Sequence, residues 1–313
     1  MPNWKALPIG TAVRKLVQQR EQQLSPRTCT SWKSTAKQLE LVIGKKPLNT
    51  ISNSDLEHYQ AERIAKGIRP SSVNTELSVA RVALKRAGRW HKLAERFHPA
   101  RVEAITPGQA ITPEQQAHLL QVARSKRRWH EVADAIAIAL TTGMRSGEIR
   151  LLQWKDVDLT SRTLTIRRSK TPAGWRAIPL NNAAWEVLAA RLRSAVKRGA
   201  AEQEHYVFPG RKKTAVRIPR GNFFTAFAAI RKAAGLPTFR FHDMRHTAIT
   251  TMCEGGVPDW TIRSQVGHVD QRVLALYSHV RMSAMKQAAD ALQPRPPGQD
   301  AKGKRKQPRK VRS

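Results

Sequence analysis

Three short strings in this sequence bring together cations, imidazoles and a phenol, the side-chain types that handle phosphate esters. The first is Thr142-Gly-Met-Arg-Ser-Gly-Glu148. An apolar run precedes it, and Gly143 suits the end of a helix. Arg145 then falls at or just before the next helix N-terminus, where the helix dipole disfavours a cation unless an anion sits there. Arg145 with free backbone N–H groups would make a phosphate pocket. A structural bridge between Arg145 and Glu148 is the other reading. The two are compatible if Glu148 orients the guanidinium while a phosphate takes the rest of its fork.

The second string is Phe241-His-Asp-Met-Arg-His-Thr247, in which His242 and Arg245 stand three apart and share one face of a helix. A proton-transfer group beside a fixed cation suits phosphoryl chemistry, although such pairs also arise on any basic helix. The third is Gly267-His268, an imidazole near a helix end, followed nine residues later by Tyr277. The sequence has three tyrosines. Tyr206 lies in a Tyr-Val-Phe-Pro run that reads as core, and Tyr59 falls on a helix of the first half. A lone tyrosine is usually structural, so Tyr277 says little by itself.

The elements that must position these residues are mostly helical. Four helices are expected between about 10 and 100: Val13 to Leu24, a second from Ser25-Pro26 to Gly44, a third opened by Ser54-Asp55 and closed by Gly67, and a fourth from Pro70-Ser71. In the fourth, Val73, Leu77, Ala80, Leu84 and Ala87 recur at helical spacing, and Arg81, Lys85, Arg86, Arg89 and Lys92 lie on exposed faces. The pattern breaks at 101–112, read as a linker, and Thr112-Pro113 reads as an N-cap followed by proline in the first helical turn. A second domain spans 113–292. It holds helix 113–125, a buried helix Val132–Thr141 and a β-hairpin from Thr163-Leu-Thr-Ile-Arg and Trp175-Arg-Ala-Ile-Pro-Leu around the turn Lys170–Gly174. Helical patterns return at Ala183–Lys197, Phe223–Ala234, His242–Glu254, Thr261–Val266 and after Met282. The last segment, 293–313, is rich in proline, lysine and arginine and reads as a disordered basic tail.

Composition narrows the partners. The 313 residues carry 56 Lys+Arg against 23 Asp+Glu, a net charge of +33. Such an excess repels itself in a compact chain unless a polyanion lies against it, and nucleic acid is the expected polyanion. A basic ribosomal or membrane-surface protein is the blander alternative. There is no run of about 18 apolar residues and no signal-like N-terminal stretch, so membrane partners are not expected and a cytoplasmic, nucleoid-associated location is. The two cysteines, Cys29 and Cys253, have no ligand-like spacing, and no cofactor or metal is expected.

Arg145, Lys170, His242-x-x-Arg245, Gly267-His268 and Tyr277, in that order, resemble the tyrosine recombinase (phage integrase) family. The resemblance covers almost the whole chain, and residues 71–87 look like the last helix of that family's core-binding domain. Two departures touch no catalytic position: Val266-Gly-His-Val269 stands where Leu-Gly-His-Ser is common, and the hairpin tip Pro172–Trp175 lacks the usual basic residues. The implied fold is a four-helix SAM-like core-binding domain at 10–100, then a mixed α/β, mainly helical catalytic domain with a small sheet. With only about ten residues before the first helix, a separate arm-binding domain is not expected.

The resemblance also implies a reaction. Tyr277 would attack a DNA phosphate to form a 3′-phosphotyrosyl link. Arg145 and Arg245 would clamp the non-bridging oxygens, His268 would add a hydrogen bond, His242 would act as base and Lys170 would protonate the leaving 5′-oxygen. Glu148 would support Arg145. The implied partners are double-stranded DNA, a homotetramer on synapsed DNA, and accessory DNA-bending or excision factors. The implied role is integration or excision of a phage or mobile element. A type IB topoisomerase-like enzyme and a non-catalytic DNA-binding protein are the alternatives.

Overall fold

The structure, a computed structural model, describes residues 3–102, 108–167, 175–210, 215–267, 269 and 289. The chain divides into two compact units, Met1–Ile105 and Thr106–Ser313, and the division falls inside segment 101–112. Lys170, His268, Tyr277, the helix expected after Met282 and the basic tail lie outside the described residues.

The first unit contains helices α1 (Ile9–Gln19), α2 (Pro26–Ile43), α3 (Asn53–Ala65) and α4 (Pro70–Arg86). In α1 the buried residues Ile9, Ala12, Val13, Leu16 and Val17 recur at the helical interval, so one stripe enters the core. Ile9, Ala12, Val13 and Leu16 meet Leu39, Leu56, Leu77, Ala80 and Leu84 from the other three helices. Helix α2 opens on Ser25, whose hydroxyl accepts from the Thr28 N–H at 3.1 Å, with Pro26 in the first turn. The start of α3 differs from the expected Ser54-Asp55. The cap is Ser52, and the Asp55 carboxylate reaches back to the Ser52 N–H at 2.9 Å, closing a capping box.

Tyr59 is fully buried in this unit, and its hydroxyl donates to Glu76 at 2.8 Å. Arg63 holds the same carboxylate through Nε at 2.9 Å and Nη2 at 2.7 Å. Burial, then the hydrogen bond to Glu76, pushes the Tyr59 pKa far above its usual value. Tyr59 is a structural phenol.

The second unit is built around α6 (His130–Thr142), buried on nearly every face. Its alanines at 133, 135, 137 and 139 present little bulk, so α5 (Pro113–Arg124), α8 (Asn182–Val196) and α10 (Asp243–Glu254) pack directly on it. Thr112 caps α5 as expected, accepting from the Gln115 N–H at 3.3 Å. Helix α9 (Phe224–Ala233) contributes Phe227 to an aromatic cluster with Phe208, Phe223, Phe239 and Phe241, and Tyr206 is buried nearby in sequence.

Strands β1 (Val157–Asp158), β2 (Thr163–Ile166) and β3 (Arg176–Pro179) form an antiparallel sheet in the order β1-β2-β3. Leu164 opposes Ile178 and Ile166 opposes Arg176, so all four stand at alternate positions that share the inward face. The short helix α7 (Ser146–Arg150) and α11 (Asp259–Val266) complete the described elements, and among the described residues no helix is long and apolar enough to cross a membrane.

Candidate active site

The site begins where α6 stops. Gly143 takes φ +68°, a left-handed conformation open to glycine, while its N–H still donates to the Ala139 carbonyl at 3.0 Å. A Cβ there would also lie 2.7 Å from Val266 of α11, so the residue must be small for two independent reasons. The chain then turns through Arg145 in extended geometry into α7. Glu148, one turn on, accepts from the Arg145 backbone N–H at 2.9 Å and from its Nη1 at 3.1 Å. The expected Arg145–Glu148 bridge is present. The Arg145 N–H is therefore taken by Glu148, and α7 has only five residues.

Arg245 approaches from α10. Its side chain is buried and donates through Nη1 to the Gly143 carbonyl at 2.9 Å and to the Val266 carbonyl. Burial, then the charge of Arg145, lowers the Arg245 pKa to about 9. The group stays cationic at neutral pH, but its charge is costly to keep there, and an anion would relieve that cost.

His242 sits just ahead of α10, with its ring open to solvent on one side. The packed atoms around the rest of it, then His246, Arg245 and Arg145, hold its pKa down to about 4. It is a neutral imidazole at pH 7. The ring of His246 meets it edge to face, 5.2 Å between centroids at 85°. His246 is itself depressed in pKa, chiefly by burial.

One contributor was not singled out in the sequence. Arg176 of β3 donates through Nη1 and Nη2 to the Glu148 carboxylate at 3.2 and 2.8 Å, and through Nε to the Gln265 carbonyl at 2.8 Å. Burial alone would raise the Glu148 pKa, but the hydrogen bonds and charge of Arg176, then the Arg145 N–H, outweigh it and hold the carboxylate below its usual range. Strand alternation was the available signal, since Arg176 shares a face with the buried Ile178 and an inward arginine needs a partner.

These contacts close a ring. It runs from Arg145 to Glu148, to Arg176, to the carbonyls of Gln265 and Val266, to Arg245, and back through Gly143 to Arg145. Of the sequence-predicted residues, Arg145, Glu148, His242 and Arg245 are thus brought together. Lys170, His268 and Tyr277 are outside the described residues. The described residues place Arg145, Arg176 and Arg245 about Glu148, with the neutral imidazole of His242 beside them. Among the described residues no cluster of three or more His, Cys, Asp or Glu side chains could hold a metal ion. A separate cavity of about 1010 Å³ is lined by Arg127, Glu131, Asp134, Arg191 and Arg198 among others, but Arg191 is already paired with Asp134 at 2.8 Å.

Residues 109–284, more than half the chain and including α6 through α11, match the phage integrase family. The chain belongs to the phage integrase family. Among relatives in this family, the integrase of Salmonella phage P22 is 29% identical over 147 residues, 46% of this chain and 38% of that protein. Tyrosine recombinase XerA of Thermococcus kodakarensis is 25% identical over 240 residues, 75% of this chain and 82% of that protein. The chain spans less than half the length of the P22 integrase and of a XerC-like tyrosine recombinase from Caldanaerobacter subterraneus, 38% and 46% respectively. Among solved structures, a Tn1549 transposon integrase in complex with circular intermediate DNA superposes with a TM-score of 0.73 at 17% identity, covering 90% of this chain and 100% of that one. A lambda integrase tetramer bound to a Holliday junction gives 0.64 at 20% identity, covering 84% and 76%. These likenesses assign this phage integrase family member the integrase fold, mostly helical with a small sheet.

Proposed function

We propose that this chain is a site-specific DNA recombinase that cuts and rejoins DNA through a covalent bond between Tyr277 and a backbone phosphate. The observation that carries the reading is the pair Arg145 and Arg245, held by fixed partners close enough to feel each other's charge, with neutral His242 beside them.

A phosphodiester resists attack because its negative charge repels nucleophiles. Two preorganised guanidiniums offset that charge and the further charge that gathers on the non-bridging oxygens in the pentacoordinate transition state. The Tyr277 phenol, with an ordinary pKa near 10, must lose its proton as it attacks. His242 is the proposed acceptor. Its depressed pKa in the free site makes it a weak base, but a bound phosphate offsets the neighbouring cations and raises it toward the working range. The phenolate oxygen bonds to phosphorus and the bond to the 5′-oxygen breaks. Lys170 is the proposed donor to that oxygen, and His268 a further hydrogen-bond donor to the phosphate. The products are a 3′-phosphotyrosine and a free 5′-hydroxyl. A 5′-hydroxyl of a second strand then attacks the phosphotyrosine, releasing Tyr277 and resealing the DNA. The ester bond is exchanged rather than hydrolysed, so no ATP is consumed.

The partner is double-stranded DNA, in keeping with the net charge of +33. Segment 10–100 is proposed as the core-binding domain, 101–112 as its linker, 113–292 as the catalytic domain and 293–313 as an accessory basic tail. Four protomers would act together on two synapsed duplexes, and the tetrameric lambda integrase supports that reading. A DNA substrate would keep the protein with the bacterial nucleoid, and integration or excision of a mobile element is the role most in line with the relatives' names. The test is a duplex carrying a nick beside the cleavage site, which traps the covalent intermediate. Wild-type protein should form the adduct and Tyr277→Phe should not. A wild-type protein that binds the duplex without forming an adduct would point to a non-catalytic DNA-binding protein.

A further inference from the structure

We propose that Arg176 is a positioning residue for the phosphate clamp, fixing Glu148, which orients Arg145, and the end of α11. The inference rests on the recombinase reading and adds to it a residue that touches no reacting atom.

Glu148 is mostly buried, with its side chain 12% exposed, and it receives both Arg176 and Arg145. Arg176 is more deeply buried, at 7%, and gives Glu148 two of its N–H groups. A buried carboxylate takes the cation it can reach. Arg176 meets that demand from the sheet side and fixes the carboxylate that orients Arg145. Without Arg176, Arg145 is the one cation among the described residues that still holds Glu148, and the carboxylate is no longer anchored to β3.

Geometry adds a second role. The Nε of Arg176 holds the Gln265 carbonyl at 2.8 Å, one residue from the Val266 carbonyl held by Arg245. Two arginines from two elements therefore fix the end of α11. Gly267 lies so close that a Cβ there would come within 3.0 Å of the Arg176 guanidinium. Lysine at 176 would keep a charge but could not form the two-pronged contact with Glu148 and the contact to Gln265 together.

The test is single-turnover adduct formation on the nicked duplex at saturating protein, with DNA affinity measured in parallel. Arg176→Gln should slow adduct formation by about 10²-fold, the scale of a lost transition-state donor, with DNA affinity little changed. Arg176→Lys should fall between wild type and Arg176→Gln, and it carries the test if the glutamine variant does not fold. Because Arg176 acts through Glu148, Arg176→Gln combined with Glu148→Gln should be about as slow as the slower single variant rather than slower by the product. A substrate with sulfur in place of the 5′-bridging oxygen has a leaving group that needs no proton. Arg176→Gln should remain slow on it. Wild-type rates in folded Arg176 variants, multiplying losses in the double variant, or recovery on the sulfur substrate would each overturn the proposal. Absence of any wild-type adduct would instead overturn the recombinase reading.

Discussion

As the proposed proton acceptor, His242 has to be uncharged, yet it stands among cations. The structure resolves this by crowding and repulsion, which leave the free imidazole neutral down to about pH 4. Its folded pKa is below its ordinary 6.5, so the stability it contributes is complete above about pH 6.5 and is lost as the pH falls toward 4. A phosphate in the clamp moves the working pKa upward. The acid limb of adduct formation should therefore lie above pH 4, and His242→Asn should cut the rate by about 10²-fold and abolish that limb. A pH profile with the same limb in His242→Asn would assign it to another group. Much of this site was legible as a sequence, because Arg145, Glu148, His242 and Arg245 lie in two short strings whose spacing alone suggests a shared face. Arg176 was not, because its partner Glu148 lies 28 residues away and its other partner, Gln265, lies 89 away. His246 was in view but unassigned, since only packing reveals that its ring supports His242.

At the scale of elements, α6 decides where the site stands. It is buried nearly all round, and it ends at Gly143, where two requirements coincide. Gly143→Ala should cost about 1–3 kcal/mol, from a left-handed backbone in a residue with a side chain and from contact with Val266. Thermal melting would measure it, and an unchanged melting temperature would mean that α11 can withdraw from α6 freely. The helices were legible because their apolar stripes and caps are local, as with Ser25-Pro26 and Thr112-Pro113. Strand β1 was not, since two residues give no alternation to detect. The start of α3 was misplaced because Ser52 and Ser54 are equally good caps in isolation, and the returning Asp55 carboxylate selects Ser52.

For the whole molecule, charge and assembly are the governing quantities. With an excess of 33 positive charges, the proposed DNA partner would stabilise the chain as well as being the molecule it acts on. If segment 282–292 docks on a neighbouring protomer, a chain lacking 283–313 should still form the covalent adduct but fail to synapse two duplexes. A chain lacking only 293–313 should synapse and bind with lower affinity, because fewer phosphates are neutralised. Native-gel analysis of paired duplexes separates the two, and synapsis by the shorter chain would assign segment 282–292 to its own protomer. The central claim, a bond from Tyr277 to DNA, is tested most directly by digesting the trapped adduct with trypsin and locating the linked nucleotide by mass spectrometry. The account predicts a 3′-phosphate ester on Tyr277 within the peptide Val273–Arg281. A nucleotide on any other residue, or a peptide that carries none, would contradict it.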